Sequence, residues 1–305
     1  MPIPSYREEA MSTQDMYYRP PTEADSFIVR VMHGCPHNKC SFCNLFKKVR
    51  FRPVPLPEVL TGIDQDALDL GEHVPKLTSM YLEGGDPLAL RTDRLLAIME
   101  HARSRFPNLN RFACYATARF GRQKSQEDLN ALARAGLRRV FVGLESGSDT
   151  ILKATGKGCS GADIADFGKK LFLAGIELDV SMMLGIGGME LSHEHAVKTA
   201  ELLNVINPAC VRIRTFVAKE GTELGIAYHE GRFALMEPHD ILYELRTMTE
   251  HITGRMQLLS EHWTDFIHFT AQMPEAKSGL LAYIDEALAK PRSAFRATGI
   301  SEAQA

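Results

Sequence analysis

Hydrophobic and polar positions along this chain alternate between two patterns. Short apolar runs rich in residues of high β propensity predict strands, and the segments between them have apolar residues at helical spacing. Because most of these runs are continuously apolar, they are typical of parallel strands that are covered on both faces. The six predicted strands are Phe27–Met32, Leu77–Leu82, Arg111–Ala116, Arg138–Leu144, Glu177–Leu184 and Cys210–Phe216.

Local signals define the ends of several helices between these strands. Ser125 begins a segment that resembles a capping box, and Gly136 ends the same helix. We also predict a helix from Asp163 to Ala174 and another that begins at Ser192. Repeated strand–helix units predict an α/β protein with a β/α barrel or a doubly wound sheet. Six units are fewer than the eight of a closed barrel, so we expect a partial (β/α)6 TIM-like barrel.

The predicted strands stop near Gly231. Residues Pro238–Arg255 and Ser278–Ala289 have helical patterns, so we expect a helical C-terminal extension that covers one end of the barrel. The expected organisation is therefore an N-terminal extension at 1–25, the barrel at 26–230 and the helical cover at 231–305.

Composition narrows the class of protein. The chain has 305 residues, of which 45% are hydrophobic and 24% charged, as in an ordinary globular enzyme. A net charge of −3 gives no electrostatic reason to expect nucleic acid or an anionic membrane as partner. We find no apolar run of about 18 residues and no signal-peptide core. Six cysteines without an export signal indicate a reducing compartment, and we expect a cytoplasmic protein.

Three of the cysteines, Cys35, Cys40 and Cys43, form a C-x4-C-x2-C pattern just after the first predicted strand. Ligand sites of β/α folds lie at the carboxyl ends of strands, so this position suits a metal site. An ordinary iron–sulfur cluster takes four thiolates, and the other three cysteines are isolated in the sequence. Two hypotheses remain open. Either Cys159 or a histidine completes a structural site, or one coordination position stays open, as in catalytic sites.

A second motif, Gly84-Gly85-Asp86, ends the second predicted strand. Paired glycines at a strand end expose backbone groups to a ligand, although the pair alone also suits a tight turn. A three-cysteine loop after strand one together with this loop after strand two is more specific. The combination resembles the radical S-adenosylmethionine (SAM) superfamily, whose usual signature is C-x3-C-x2-C. This chain has one additional residue between the first two cysteines.

The resemblance implies roles for both motifs. The three cysteines would bind three irons of a [4Fe–4S] cluster, and the amino and carboxylate groups of SAM would chelate the fourth iron. Phe42 occupies the family's aromatic position before the last cysteine. The loop of Gly84, Gly85 and Asp86 would accept hydrogen bonds from the SAM ammonium group. Because the chain has no cysteine after Cys210, we expect one cluster.

The fourth predicted strand ends in the segment Val142–Asp149, which is similar to a motif of the oxygen-independent coproporphyrinogen oxidase and Elp3-like branch. In that branch, the residue at the position of Glu145 would bind the SAM ribose. Lys157 stands where the branch often has an arginine for the SAM carboxylate. Ser181 stands at the position of a second ribose-binding residue. The resemblance covers about residues 20–225.

The function implied by the resemblance is reductive cleavage of SAM to a 5′-deoxyadenosyl radical. This radical would abstract hydrogen from an unidentified small-molecule substrate, with flavodoxin or ferredoxin as reductant. One alternative is a non-enzymatic zinc or iron–sulfur module with structural cysteines. Another, within the enzyme class, is a porphyrinogen-type decarboxylase or dehydrogenase. The net negative charge disfavours a nucleic-acid substrate.

Four further residues have both a chemical and an ordinary interpretation. Cys159 is either a hydrogen-atom donor or a residue without chemistry at a helix start. Tyr115 is either a radical site or a packing residue in its strand. Arg212 and Arg214 share one face of the sixth strand, because side chains alternate along a strand. They bind a substrate carboxylate or phosphate if that face points into the barrel, and form salt bridges if it points outward.

Overall fold

The computed structural model of the chain describes residues 17–298. Most of the expected N-terminal extension and the last seven residues of the C-terminal cover lie outside the described residues. The chain forms two compact units. Within the described residues, the first comprises 17–38, 45–141 and 170–177, and the second comprises 39–44, 142–169 and 178–298.

Ten strands are present in residues 17–298. They are β1 (Phe27–Arg30), β2 (Met32–His33), β3 (Arg52–Pro53), β4 (Ser79–Glu83), β5 (Arg111–Ala116), β6 (Leu137–Glu145), β7 (Glu177–Leu184), β8 (Cys210–Thr215), β9 (Met256–Ser260) and β10 (Phe269–Met273). The principal sheet has the order β1-β4-β5-β6-β7-β8-β9-β10, and β2 pairs separately with β3.

Ten α-helices alternate with these strands in the same part of the chain. They are α1 (Leu56–Leu70), α2 (Thr92–Arg105), α3 (Ala118–Gly121), α4 (Gln126–Arg134), α5 (Asp149–Ala154), α6 (Gly161–Leu173), α7 (Gly188–Ile206), α8 (Glu223–His229), α9 (Pro238–His251) and α10 (Lys277–Leu288). The predicted capping box is confirmed, because Ser125 accepts from the amide of Asp128 and the Asp128 carboxylate accepts from the amide of Ser125. In residues 17–298, no helix is long and apolar enough to cross a membrane.

In the first unit, β1, β4 and β5 pair in parallel. Met80, Tyr81 and Leu82 of β4 are at most 2% exposed, which explains why this strand is a continuous apolar run in the sequence. Helices α1 and α2 pack against each other in the same unit. Glu23, which is also buried, accepts hydrogen bonds from Arg111 at the start of β5.

In the second unit, β7, β8 and β9 are parallel and β10 returns antiparallel to β9. Helix α7 packs against α9, and α9 packs against α10. Gly185 and Gly188 have positive φ angles of 78° and 64°, so the chain turns sharply between β7 and α7. This turn places the carboxyl end of β7 directly beside the start of a long helix.

The mostly parallel α/β sheet with helices confirms the predicted fold class. The C-terminal segment requires a correction, because β9 and β10 lie between its helices and the segment is not helical throughout. Both strands are only five residues long. The helix expected to begin at Ser192 begins earlier, at Gly188. Gly187 is the last residue of the turn, and Gly188 is the first residue of the helix.

Candidate SAM and cluster site

The three cysteines of the C-x4-C-x2-C pattern lie in the loop between β2 and β3. Each is half-buried and none forms a disulfide. Cys35 belongs to the first unit, and Cys40 and Cys43 belong to the second. In residues 17–298, no three His, Cys, Asp or Glu side chains come together as ligands of a single metal ion. Three separate thiolates nevertheless match the donor set of a cubane cluster, in which each iron takes its own cysteine.

In the first unit, the backbone at Cys35 lies directly against the loop that ends β4. The amide of Gly85 donates a hydrogen bond to the carbonyl oxygen of Gly34 at 3.1 Å. A Cβ atom added at Gly85 would lie 2.6 Å from the Cα atom of Cys35, so this approach requires glycine. The amide of Asn38 donates to the Cys35 sulfur at 3.4 Å. The Gly-Gly-acid motif therefore borders the first cysteine.

Asp86 is completely buried, and one of its two carboxylate oxygens has no hydrogen-bond partner. Its Oδ2 atom accepts from the amide of Thr117 at 2.8 Å and from the Thr117 hydroxyl at 2.6 Å. Its Oδ1 atom is buried without a partner. Burial raises the pKa of Asp86 to about 7, although the hydrogen bonds from Thr117 and the weaker influence of the backbone amides of Ala89 and Leu88 act in the opposite direction. A buried acceptor without a donor is costly, so Oδ1 suits a ligand with an N–H group such as an ammonium.

In the second unit, backbone hydrogen bonds hold the loop between Cys40 and Cys43 on both sides. The amide of Ser41 donates to the carbonyl oxygen of Thr155 at 2.9 Å. The carbonyl oxygen of Ser41 accepts from the amide of Leu224 at 2.9 Å, just at the start of α8. The loop is therefore fixed to the segments that follow α5 and β8.

Phe42, the aromatic residue before the last cysteine, anchors the same loop through packing. Its side chain is 8% exposed and belongs to an apolar cluster, against which Cys40 and Cys43 also pack. The buried members are Phe42, Ile151, Ile186 and Phe216. Burial of an aromatic ring stabilises a loop by several kcal/mol, and the entropy lost when the loop becomes ordered offsets part of this. Phe42 therefore helps to hold the loop of Cys40 and Cys43 in place.

Lys157 and Glu145 form a buried ion pair with an N–O distance of 2.9 Å, and their side chains are 6% and 10% exposed. Burial on its own lowers the pKa of Lys157, but the negative charges of Glu145, Cys40 and Cys159 raise it well above its ordinary value. The lysine therefore stays protonated at neutral pH. Its ammonium group also lies 5.8 Å from the centre of the Phe42 ring.

Glu145 has an unusual backbone conformation at the end of β6. Its φ angle is +61°, which costs a residue with a side chain about 1–2 kcal/mol. A Cβ atom added at Gly143 would lie 2.3 Å from the Glu145 carboxylate, so a larger residue there would displace the Glu145 side chain from its present position. The next residue, Ser146, is hydrogen-bonded to Nδ1 of the buried His195 at 2.8 Å. Strained residues held in this way are found preferentially at functional sites.

Ser181 of β7 is in register with Arg212 of β8, and Met183 is in register with Arg214. Paired residues of neighbouring parallel strands lie on the same face of a sheet. All four are half-buried. The structure therefore brings Ser181 and the two arginines onto one partly exposed face of the second unit.

Two further candidates have different surroundings. Cys159 is half-buried in the loop before α6, where it acts electrostatically on Lys157. The ring of Tyr115 packs edge-on against Tyr81 at 6.2 Å and tilted against Phe141 at 5.7 Å between ring centres. Both rings belong to the first unit's apolar cluster, which supports a packing role for Tyr115.

Sequence reasoning missed Thr117 and Lys219. Thr117 directly follows β5, and its place at the carboxyl end of a strand is the sequence signal that could have found it. Burial lowers the pKa of Lys219, the Cys43 charge raises it, and the Arg214 charge lowers it further. Lys219 thus lies within electrostatic range of a cysteine of the loop and of an arginine of β8.

The fold and these motifs define a class of protein, and comparison with known families gives the same class. Residues 29–203 match the family model described as the radical SAM superfamily, which is more than half of the chain. The chain therefore belongs to the radical SAM superfamily, and the resemblance seen in its sequence is confirmed.

Individual relatives are more distant. A curated relative, the heme chaperone HemW of Bacillus subtilis (strain 168), is 22% identical over 258 residues, which are 83% of this chain and 65% of HemW. Coproporphyrinogen III oxidase (HemN) from Escherichia coli has a similar fold, with a TM-score of 0.55 and 13% identity, covering 86% of this chain and 69% of HemN.

A third relative is the methyltransferase TsrM from Kitasatospora setae, whose structure contains cobalamin and a [4Fe–4S] cluster. It has a TM-score of 0.54 and 17% identity, covering 68% of this chain and 39% of TsrM. The chain thus spans about two thirds of the length of HemW and well under half of TsrM.

Proposed function

We propose that this protein is a radical SAM enzyme that reductively cleaves SAM and uses the resulting 5′-deoxyadenosyl radical to abstract hydrogen from a small-molecule substrate. The family match supports the class of reaction. The substrate and the cluster chemistry are part of the proposal. A flavodoxin or ferredoxin is the reductant we expect as partner.

Cys35, Cys40 and Cys43 are the residues we propose as ligands of a [4Fe–4S] cluster, with SAM completing the set of ligands. When bound, the cluster supplies the electron that splits SAM. The loop of Gly84, Gly85 and Asp86 would accept hydrogen bonds from the SAM ammonium group. The Oδ1 atom of Asp86 is buried and has no partner, so it is an acceptor suited to this role.

Three residues of the second unit are proposed for the rest of SAM. Lys157 is held protonated beside Glu145, which makes it a fixed positive charge for the SAM carboxylate. Glu145 and Ser181 carry oxygen atoms that suit the ribose hydroxyls. Lysine provides the charge for the carboxylate but not the two-pronged geometry of arginine.

The observation that carries this proposal is the contact, within the first unit, between Cys35 and the loop of Gly84, Gly85 and Asp86. Gly85 approaches Cys35 so closely that a Cβ atom would overlap it, and the next residue, Asp86, keeps an unpartnered acceptor in the interior. A structural zinc site has no use for such an acceptor, whereas a bound amino group does.

Anaerobic reconstitution with iron and sulfide tests the proposal. We expect about four irons per chain, a visible absorption band of an iron–sulfur cluster, and 5′-deoxyadenosine from SAM after reduction with dithionite. Replacement of any one of Cys35, Cys40 and Cys43 by Ala should remove cluster and product together. Cys210→Ala is the matched control, because this cysteine is buried in β8 and should leave the iron content unchanged.

Two results would contradict the proposal. Stoichiometric zinc that resists exchange for iron would indicate a structural module. A complete cluster that never yields 5′-deoxyadenosine would indicate a protein that carries the cluster without cleaving SAM.

A second candidate function is the handling of heme, because HemW, which matches 83% of this chain, is named a heme chaperone. Titration of the full chain with hemin would then give saturable binding with a shifted heme absorption band, with no 5′-deoxyadenosine needed. HemN, named coproporphyrinogen III oxidase, raises the related possibility of porphyrinogen decarboxylation. Supply of coproporphyrinogen with SAM and reductant tests that reaction through release of carbon dioxide.

A further inference from the structure

Three cationic side chains of the second unit lie on β8 or shortly after it, and among residues 17–298 none of them has an acidic partner. Arg212 and Arg214 occupy alternate positions of β8, so their side chains leave the same face about 7 Å apart. The Nε atom of Arg212 is buried without a hydrogen-bond partner. In residues 17–298, neither arginine forms a salt bridge with a carboxylate. The alternative interpretation of these arginines, as surface salt-bridge residues, is therefore not supported.

Lys219 extends this group of charges. It is half-buried after β8, and Arg214 acts on it as a like charge. Cys43 acts on the same lysine as an opposite charge, so the group borders the cysteine loop within the second unit. Burial and the charges of Arg214, Lys219 and Arg296 lower the pKa of His262 to about 4, so this histidine is neutral at pH 7 and adds no positive charge.

The acidic residue hydrogen-bonded to the end of β8, Asp265, already has partners. Asp265 accepts hydrogen bonds from the amide of Thr215 at 2.8 Å, from the hydroxyl of Ser260 at 3.0 Å and from the amide of His262 at 3.1 Å. Its charge acts on Arg296, which in turn lies over the ring of Phe266. The carboxylate of Asp265 is therefore occupied by these groups. It does not neutralise the charges of Arg212, Arg214 and Lys219.

Half-buried like charges without a counterion are unfavourable, because each loses solvation and repels the others. An oxyanion reverses both effects, and arginine side chains match carboxylate and phosphate geometry. We propose that Arg212, Arg214 and Lys219 form an anion subsite that binds a carboxylate or phosphate group of the substrate beside the cysteine loop. The proposal that this subsite binds an anion does not depend on the proposed function. The assignment of that anion to the substrate rests on the proposed function.

Calorimetric titration of the full chain under anaerobic conditions tests the subsite, with inorganic phosphate in one arm and succinate in the other. We expect saturable binding of at least one probe, weakened by added salt. The arm that binds more tightly identifies phosphate or carboxylate as the preferred group. Arg212→Gln and Arg214→Gln should each weaken that binding at least tenfold, with unchanged thermal unfolding as the check on folding.

Arg255→Gln is the matched control, because it removes the same charge from an exposed ion pair with Glu275 outside the subsite. It should change the affinity less than twofold. Failure of both probes to bind, or an equal loss in the control, would overturn the subsite. If the β8 variants instead lose affinity for SAM, the anion is the SAM carboxylate and the assignment to substrate is wrong.

The same preparations separate this inference from the proposed function. Formation of 5′-deoxyadenosine by the reconstituted wild-type protein without binding of either probe refutes the subsite alone. Binding of a probe that the β8 variants lose, without any cleavage of SAM, refutes the proposed function and leaves the subsite in place.

Discussion

At the scale of single residues, Asp86 and Lys157 show how burial and neighbouring charge decide protonation. Burial favours the neutral form of both side chains. In Lys157 the negative charges of Glu145, Cys40 and Cys159 overcome burial, so the lysine stays charged. In Asp86 the hydrogen bonds from Thr117 and the backbone amides of Ala89 and Leu88 do not overcome burial, and the pKa rises to about 7. The second unit therefore holds a fixed cation, and the first unit holds a carboxyl group close to its titration point.

Asp86→Asn is expected to change how stability depends on pH. The folded pKa of about 7 exceeds the ordinary value of 3.8, so between these values the folded state holds more protons than the unfolded state. The contribution of Asp86 to the stability of the wild-type protein therefore falls by about 1.4 kcal/mol per pH unit as the pH rises through this window. Relative to wild type, the free energy of unfolding of the variant should rise by the same amount per pH unit. Urea unfolding at about pH 5 and pH 7 measures this difference. A difference that stays constant would contradict burial as the cause of the raised pKa.

Lys157→Met is expected to destabilise the protein by about 3 kcal/mol, because it leaves the buried Glu145 carboxylate without a partner. The double variant Glu145→Gln/Lys157→Met should recover at least about 1 kcal/mol, since no unpaired charge remains. Chemical unfolding of all three proteins measures these differences. Lys198→Met is the control, because its ion pair with Glu201 is exposed and should change stability by less than about 1 kcal/mol. Equal losses in the single and double variants would indicate that packing dominates.

At the scale of elements, the sequence predicted what depends on local pattern. β5 and β7 have the predicted bounds because each begins at a charged residue and ends where its mainly apolar run meets Thr117 or Gly185. β10 was missed because only Ala271 and Met273 are buried in it, too few for a clear alternation. The cysteine and glycine motifs were likewise visible as spacing. The charges that surround Lys219 were not, because they depend on which segments the fold brings together.

The close approach of the loop after β4 predicts the effect of Gly85→Ala. The added Cβ atom would overlap backbone atoms of Cys35, which cannot move as a side chain can. We expect a loss of about 1–3 kcal/mol in urea unfolding.

Gly62→Ala provides a matched control within α1. A Cβ atom there meets nothing within 4 Å, and alanine favours the helix. This variant should be more stable than wild type by about 0.5–1 kcal/mol. If both variants shifted stability in the same direction, the close contact at Gly85 would not be what constrains that position.

At the scale of the whole molecule, the response to acid depends on buried groups with opposing effects. His195 is completely buried, and burial lowers its pKa to about 4. Burial raises the pKa of Glu244 to about 7. Their nearest atoms are 3.7 Å apart, too far for a hydrogen bond, and both pKa shifts favour neutral forms. Between about pH 4 and pH 7 they are therefore better described as two neutral groups than as an ion pair.

His195→Gln is expected to weaken the dependence of stability on acid. Below the ordinary pKa of 6.5 the unfolded state binds a proton that the folded state excludes until about pH 4. His195 therefore adds about 1.4 kcal/mol per pH unit to the free energy of unfolding as the pH rises through that window. The amount by which the variant is less stable than wild type should therefore grow from about pH 4.5 to pH 6.5, as measured by urea unfolding. Glu244→Gln should show the opposite trend, and parallel curves for both variants would contradict the assignment.

Cys114 of β5 has no exposed surface, and burial followed by the charges of Asp86 and Glu23 raises the pKa of its thiol. Alkylating reagents attack the thiolate, so a reagent such as iodoacetamide reaches this sulfur only when the first unit opens. The rate at which this thiol is labelled therefore measures how often the first unit opens.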